Sequence, residues 1–287
     1  MKKHFTKILC ISLLVNFLLK GDQLNALVPY YYLPTIKNLE KESLSIGRNA
    51  YQLLYFGQIK ESLNLAKLAV KINKLDEKLW LILSESQVAN KLYEEALISL
   101  KSAEKINPNL SEIYFSKSNI FVKQLKLKDA KIALKSGLKI KPENHNAIFQ
   151  LGNIFLMEKN YLSAIKLFDK AVKIKPEFWQ AINNKGLAYF EQDKINKSIK
   201  LFEKAISLEE NAEPLLGLAS SLRIQDINSA ILLAKKALIK NPNYVEYDYR
   251  KEQLWGEKLQ ISTEKLLKND QLQQDIRKAK LKINQSS

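Results

Sequence analysis

Lysine is the most abundant chemically active residue in this chain, and its spacing is regular. Lys131, Lys135 and Lys139 recur every four residues; Lys166, Lys170 and Lys173 do nearly the same further on. At those intervals each trio shares one face of a helix. Such a face offers loose attraction to an anionic membrane surface or an acidic partner. It is equally what a solvated helix carries, since exposed helical positions favour Lys. The groups that catalysis needs are scarce. One cysteine, Cys10, and two histidines, His4 and His145, leave no intrachain disulfide and no Cys/His metal set. No G-x-x-x-x-G-K phosphate loop and no G-x-S-x-G elbow is present. His145 has no partner motif, and the carboxylates are scattered, falling at helical intervals from lysines. The expectation is a protein that is not an enzyme and holds no cofactor or metal.

The elements that position these residues follow from composition. Hydrophobic residues make up 46% of the 287, enough for a core, and only 8 Gly and 7 Pro interrupt the chain. A mixture rich in Lys, Leu, Ile, Ala and Glu favours an all-α fold. A net charge of +16 raises nucleic acid or anionic lipid as partners. Only Arg48, Arg223, Arg250 and Arg277 are arginine, the residue that makes most bidentate contacts to guanine and phosphate. Nucleic acid is therefore disfavoured, and a lysine-rich solvated surface accounts for the charge.

The first 26 residues read as a basic stretch (Lys2, Lys3, Lys7) followed by an apolar run, Ile8 to Leu19. The run is short for a bilayer span and fits a secretory signal, with a cut after Ala26. The alternative is an uncleaved amphipathic anchor. Residues 27–42 are then a linker or N-terminal cap, with Tyr30, Tyr31, Tyr32 and Leu33 available to cover the first helices.

An internal period dominates the rest. Pro108, Pro142 and Pro176 are 34 residues apart, each closing a similar segment: YEEALISLKSAEKINP, LKDAKIALKSGLKIKP and YLSAIKLFDKAVKIKP. The stretch from His145 to Phe178 carries the fullest pattern, with Leu151, Gly152, Phe155, Ala164, Phe168, Ala171 and Pro176. Gly152 and Ala164 leave no bulk where two helices cross; Phe155 and Phe168 fill the space around the crossing; Pro176 stops the second helix. Repeats lie near 43–76, 77–110, 111–144, 145–178, 179–212 and 213–244. The fifth has Glu210 where Pro is usual, and the sixth reads as having a shortened turn.

This recurrent pattern resembles the tetratricopeptide-repeat family, whose period is 34. The resemblance implies a right-handed α-solenoid of about six helix–turn–helix repeats with a C-terminal capping helix. One helix pair cannot bury its apolar face alone, so stacked copies share a core. The tail, 245–287, supplies Leu254, Trp255, Leu259, Leu266 and Leu267 to pack on the last repeat, with frayed residues beyond about Lys278. The tail is also similar to that of uncharacterised exported repeat proteins of photosynthetic bacteria.

The resemblance further implies that first-helix residues line a concave groove that binds a peptide or helix of a partner protein. The matching positions are Phe115, Asn119 and Val122; Phe149, Asn153 and Leu156; and Asn183, Leu187 and Phe190. Asn119 and Asn153 are equivalent, and an amide that both donates and accepts suits a peptide backbone. The consensus alone also accounts for them. Some relatives clamp a C-terminal carboxylate with Lys and Arg; here those positions hold Leu81, Glu85, Phe115, Asn146 and Gln150, so that role is disfavoured. The function expected is an exported protein–protein scaffold in the periplasm or thylakoid lumen, as in assembly of a membrane complex. The alternative is a peripheral membrane-surface adaptor using a basic convex face.

Overall fold

The structure is a computed structural model that describes residues 35–286. The expected export segment and the Tyr30–Leu33 cap lie outside the described residues. Contacts divide the chain into two compact units, residues 1–42 and Ser43–Ser287. Of the first only 35–42 is described, and it belongs to the opening turns of helix α1 (Ile36–Tyr55).

The second unit is an α-solenoid, without strands among the described residues. After α1 come α2 (Ile59–Ile72), α3 (Glu77–Ala89), α4 (Tyr93–Ile106), α5 (Ser111–Lys123), α6 (Leu127–Ile140), α7 (His145–Met157), α8 (Tyr161–Ile174), α9 (Trp179–Glu191), α10 (Ile195–Leu208), α11 (Ala212–Leu222) and α12 (Ile227–Lys240). Odd-numbered helices are the first (A) of each pair and even-numbered ones the second (B). From α3 on, each A helix packs on its own B helix, and each B helix on the next A helix.

Five of the six A–B turns are built alike. Gly57, Lys91, Leu125, Lys159 and Asp193, spaced by 34, all have positive φ, between 58° and 76°. The next N–H reaches back to the fifth residue before it, as from Leu92 to Gln87 (2.8 Å) and from Asn160 to Phe155 (2.8 Å). This is a Schellman close, which satisfies carbonyls orphaned at the helix end. Glycine meets its left-handed requirement without strain at Gly57 only. The sixth pair departs from the expected shortened turn. Its A helix, α11, has 11 residues instead of 13, and its turn, 223–226, lacks a positive φ.

Each B helix stops by extending one residue. Lys141 and Lys175 precede proline and take extended or near-extended angles. Glu209 adopts the same conformation before Glu210, so the stop does not depend on proline. At the crossings a side chain on Gly152 would strike the Phe168 ring, which is fully buried. Gly186 and Gly217 flank Phe202 in the same way.

The tail forms three helices in place of the single capping helix expected: α13 (Tyr247–Glu252), α14 (Glu257–Leu267) and α15 (Gln273–Ser286). Trp255, Leu259, Leu266 and Leu267 are buried in the core that begins at Ile148. Helix α15 runs to Ser286 with Ala279 buried, so the fraying expected after Lys278 is corrected. It packs on α12 and on the 3-10 turn Pro242–Val245, which supplies the apolar support that the tail's low hydropathy hides.

Candidate functional site

The A helices present a hollow of about 490 Å³. Helix α5 contributes Asn119 and Val122, α7 contributes Phe149, Gln150, Asn153 and Met157, and α9 contributes Trp179, Gln180 and Asn184. Glu213 of α11 and the end of α13, Glu252 to Leu254, close it. A second hollow of about 450 Å³ is walled by Tyr51 and Tyr55 of α1, Ser84 and Glu85 of α3, and Ser116 of α5. Asn119 lines both, so the two adjoin.

Amides run along the wall. Asn184 Nδ2 donates to Asn153 Oδ1 (2.9 Å), and Asn183 Nδ2 donates to Asn184 Oδ1 (3.1 Å). Asn183 is fully buried and its Oδ1 has no hydrogen-bond partner. Beside it, burial pushes the Glu213 carboxyl up to about 7, partly offset by hydrogen bonds from Asn183, Trp255 and Tyr244. Trp255 Nε1 donates to Glu213 Oε1 at 3.3 Å. Burial, and then the neighbouring Glu213, raises the Tyr244 phenol in turn. Burial also raises the Glu85 carboxyl.

Of the residues expected to line a groove, Asn119, Val122, Phe149 and Asn153 come together in the larger hollow. Phe149 is half-buried, with its ring 5.0 Å from Phe178 and 5.7 Å from Phe168, so it is also a core contact. Phe115 packs its ring against Gly137 of α6. Leu156, Asn183, Leu187 and Phe190 are in the interior. The last three belong to α9, on which α14 packs.

No periodic pattern announces the seating of α14. Glu191, itself buried, accepts hydrogen bonds from the backbone N–H of Leu259 (3.0 Å) and Lys258 (3.3 Å), capping the helix start. Its carboxyl occupies the space a side chain on Gly256 would take. Further along, the Ser220 and Thr263 hydroxyls are hydrogen-bonded at 2.7 Å, and Ser262 Oγ donates to the Ser220 carbonyl (2.8 Å). The chain's own tail thus covers the A helices of the fifth and sixth pairs. The sequence signal for this is Glu213 and Glu191, lone acids in or ending largely apolar helices.

On the B helices, Lys131 is tied to both carboxylate oxygens of Glu158 (2.6 and 2.7 Å) and lies 5.1 Å from the Phe155 ring centre. Lys135, Lys139, Lys166, Lys170 and Lys173 are exposed. Among the described residues no group of three or more His, Cys, Asp or Glu could hold a metal ion. Among them too, no helix is long and apolar enough to cross a membrane.

Two family models, both described as tetratricopeptide repeat, match residues 117–182 and 180–211. No curated protein is significantly similar in sequence. Among solved structures, a tetratricopeptide repeat protein from Parabacteroides merdae is 17% identical with a TM-score of 0.60, over 84% of this chain and 99% of that one. PilW, described as a widely conserved type IV pilus biogenesis factor, is 17% identical with a TM-score of 0.58, over 76% and 97%. YrrB, described as a TPR protein with an unusual peptide-binding site, is 16% identical with a TM-score of 0.50, over 65% and 97%. At these identities the likeness is one of fold.

Proposed function

We propose that the chain is a tetratricopeptide-repeat protein and a non-catalytic scaffold, holding an extended segment of a partner protein against its A helices. One observation carries the reading: the hollow across α5, α7 and α9, lined by several amides together with the aromatic side chains of Phe149 and Trp179. Asn119 and Gln150 are exposed there and supply donors and acceptors for a backbone. Phe149 and Trp179 supply apolar area for side chains. Phe115, Leu156, Asn183, Leu187 and Phe190 act beneath this wall, as its support.

We further propose export and a role in assembling a membrane complex in the periplasm or thylakoid lumen. Their supports are the basic-then-apolar start of the sequence and the fold likeness to PilW, itself described as a biogenesis factor. Amino-terminal sequencing of the protein recovered from cell fractions tests export; a start at Met1 in the cytosolic fraction would contradict it.

Affinity capture with the native chain and with Asn119→Ala/Gln150→Ala, followed by mass spectrometry, tests the binding role. Both substitutions are at exposed positions, so the fold is expected to persist. A partner lost only in the variant supports the groove. A partner retained by both moves the contact elsewhere, to the exposed lysines of α6 and α8. That second reading, a membrane-surface adaptor, requires salt-sensitive binding to anionic vesicles. Absence of binding at low salt would remove it.

A further inference from the structure

If the A-helix face is a peptide site, its charge runs opposite to that of the protein. The chain has 46 Lys and Arg against 30 Asp and Glu, yet no Lys or Arg lines either hollow on this face. The charged groups there are Glu85, Glu213 and Glu252. Hollows elsewhere carry both signs. One between α4, α5 and α6 has Lys101 and Lys117 beside Glu104 and Asp129, and one beside Pro142 has Lys170 and Lys173 beside Glu143.

None of the three groove carboxyls forms an ion pair with a described residue, although nine such pairs occur elsewhere among the described residues. Two of them, Glu85 and Glu213, are desolvated. At Glu213 hydrogen bonds from Asn183, Trp255 and Tyr244 offset part of this cost, and a cation brought from outside would compensate the rest at either carboxyl. Trp179 and Phe149 add ring faces on which lysine stems or a guanidinium can lie.

Resting on the groove reading, we infer that the partner segment is cationic: an extended peptide whose backbone is held by Asn119 and Asn153 and whose lysine or arginine side chains meet Glu85, Glu213 and Glu252. A peptide fits better than a small polycation, because the amides between the two hollows match backbone N–H and C=O groups. The protein's net positive field alone would favour acidic peptides, so charge preference separates local chemistry from bulk attraction.

The test measures fluorescence anisotropy with the full chain at about 0.15 M salt, where the Debye length is about 8 Å. Three labelled peptides of equal length differ only in carrying three Lys, three Gln or three Glu. The Lys peptide is expected to bind about tenfold more tightly than the Gln peptide, and the Glu peptide more weakly than either. In Glu85→Gln/Glu252→Gln the Lys preference should shrink to about twofold, with the Gln peptide unchanged. Glu213→Gln, made separately and checked by circular dichroism, should shrink it as well. Equal binding of Lys and Gln peptides, both weakened by Asn119→Ala, would overturn the charge inference and leave the groove. A Lys preference that survives every Glu→Gln variant would overturn it too. Peptide affinities all indifferent to Asn119→Ala would overturn the groove reading itself.

Discussion

At the scale of single residues, two buried ionisable groups govern the tail. Arg250 is fully buried; its Nη1 donates to the carbonyls of Tyr244 (2.7 Å) and Val245 (3.0 Å), its Nε to Gln260 Oε1 (2.7 Å), and its Nη2 to Glu264. Replacing it with Met leaves those carbonyls and Gln260 unpaired out of water. Arg250→Met is expected to cost roughly 3 kcal/mol in urea unfolding and to loosen the tail first. Glu213 acts in the other direction. Its folded value of about 7 exceeds the ordinary 4.5, so between those values the folded state keeps a proton the unfolded chain releases. The contribution of this group is thus complete below the ordinary value and is lost as pH rises through about 7. Glu213→Gln should leave the melting temperature nearly unchanged at pH 4.5 and raise it by a few degrees at pH 8. An equal rise at both pH values would contradict this account. Neither role was legible in the sequence: the partners of Arg250 are near in the chain but fall in no periodic pattern, and Trp255, which meets Glu213, is 42 residues away.

At the scale of elements, the repeat was legible because its mechanics are local. Small residues at the crossings, Phe168 and Phe202 against glycines, and the extended residue closing each B helix all follow from a pattern 34 residues long. The left-handed turn residue is hidden because only Gly57 announces it; the other four are Lys, Leu, Lys and Asp. Leu125 is exposed at φ 58°, with its side chain largely in solvent. Leu125→Gly is therefore expected to stabilise the protein by about 0.5–1 kcal/mol in denaturant titration, and a loss would show that the leucine has an unseen contact. The seating of α14 depends on Gly256 for close approach to Glu191. Gly256→Ala should displace α14, exposing Trp255, with a red-shifted tryptophan emission as the readout; unchanged emission would mean Glu191 can step aside.

At the scale of the whole described solenoid, the core is uneven. One large cluster joins Ile148 to Ala279, while three smaller clusters hold the earlier pairs, the last of them reaching into α7 through Leu151 and Ile154. Repeat arrays open where neighbour contacts are weakest. Hydrogen exchange should therefore be fastest in α2 to α4 and slowest in α9 to α12, and the reverse order would contradict the packing. The same unevenness explains how much of the site was readable. Asn119, Val122, Phe149 and Asn153 are legible because the family pattern carries over wherever an A helix has only its own stack for neighbours. The same logic assigns Asn183, Leu187 and Phe190 to a groove, but α14 packs on their helix, and only the three-dimensional return of the tail reveals that. The central claim is that the A-helix hollow, and not the lysine-bearing B helices, receives a partner. Its most direct test is a photo-crosslinking residue placed in vivo at Gln150 or, separately, at Lys170. A specific adduct from position 150 alone is the result expected; adducts from position 170 alone would contradict the claim.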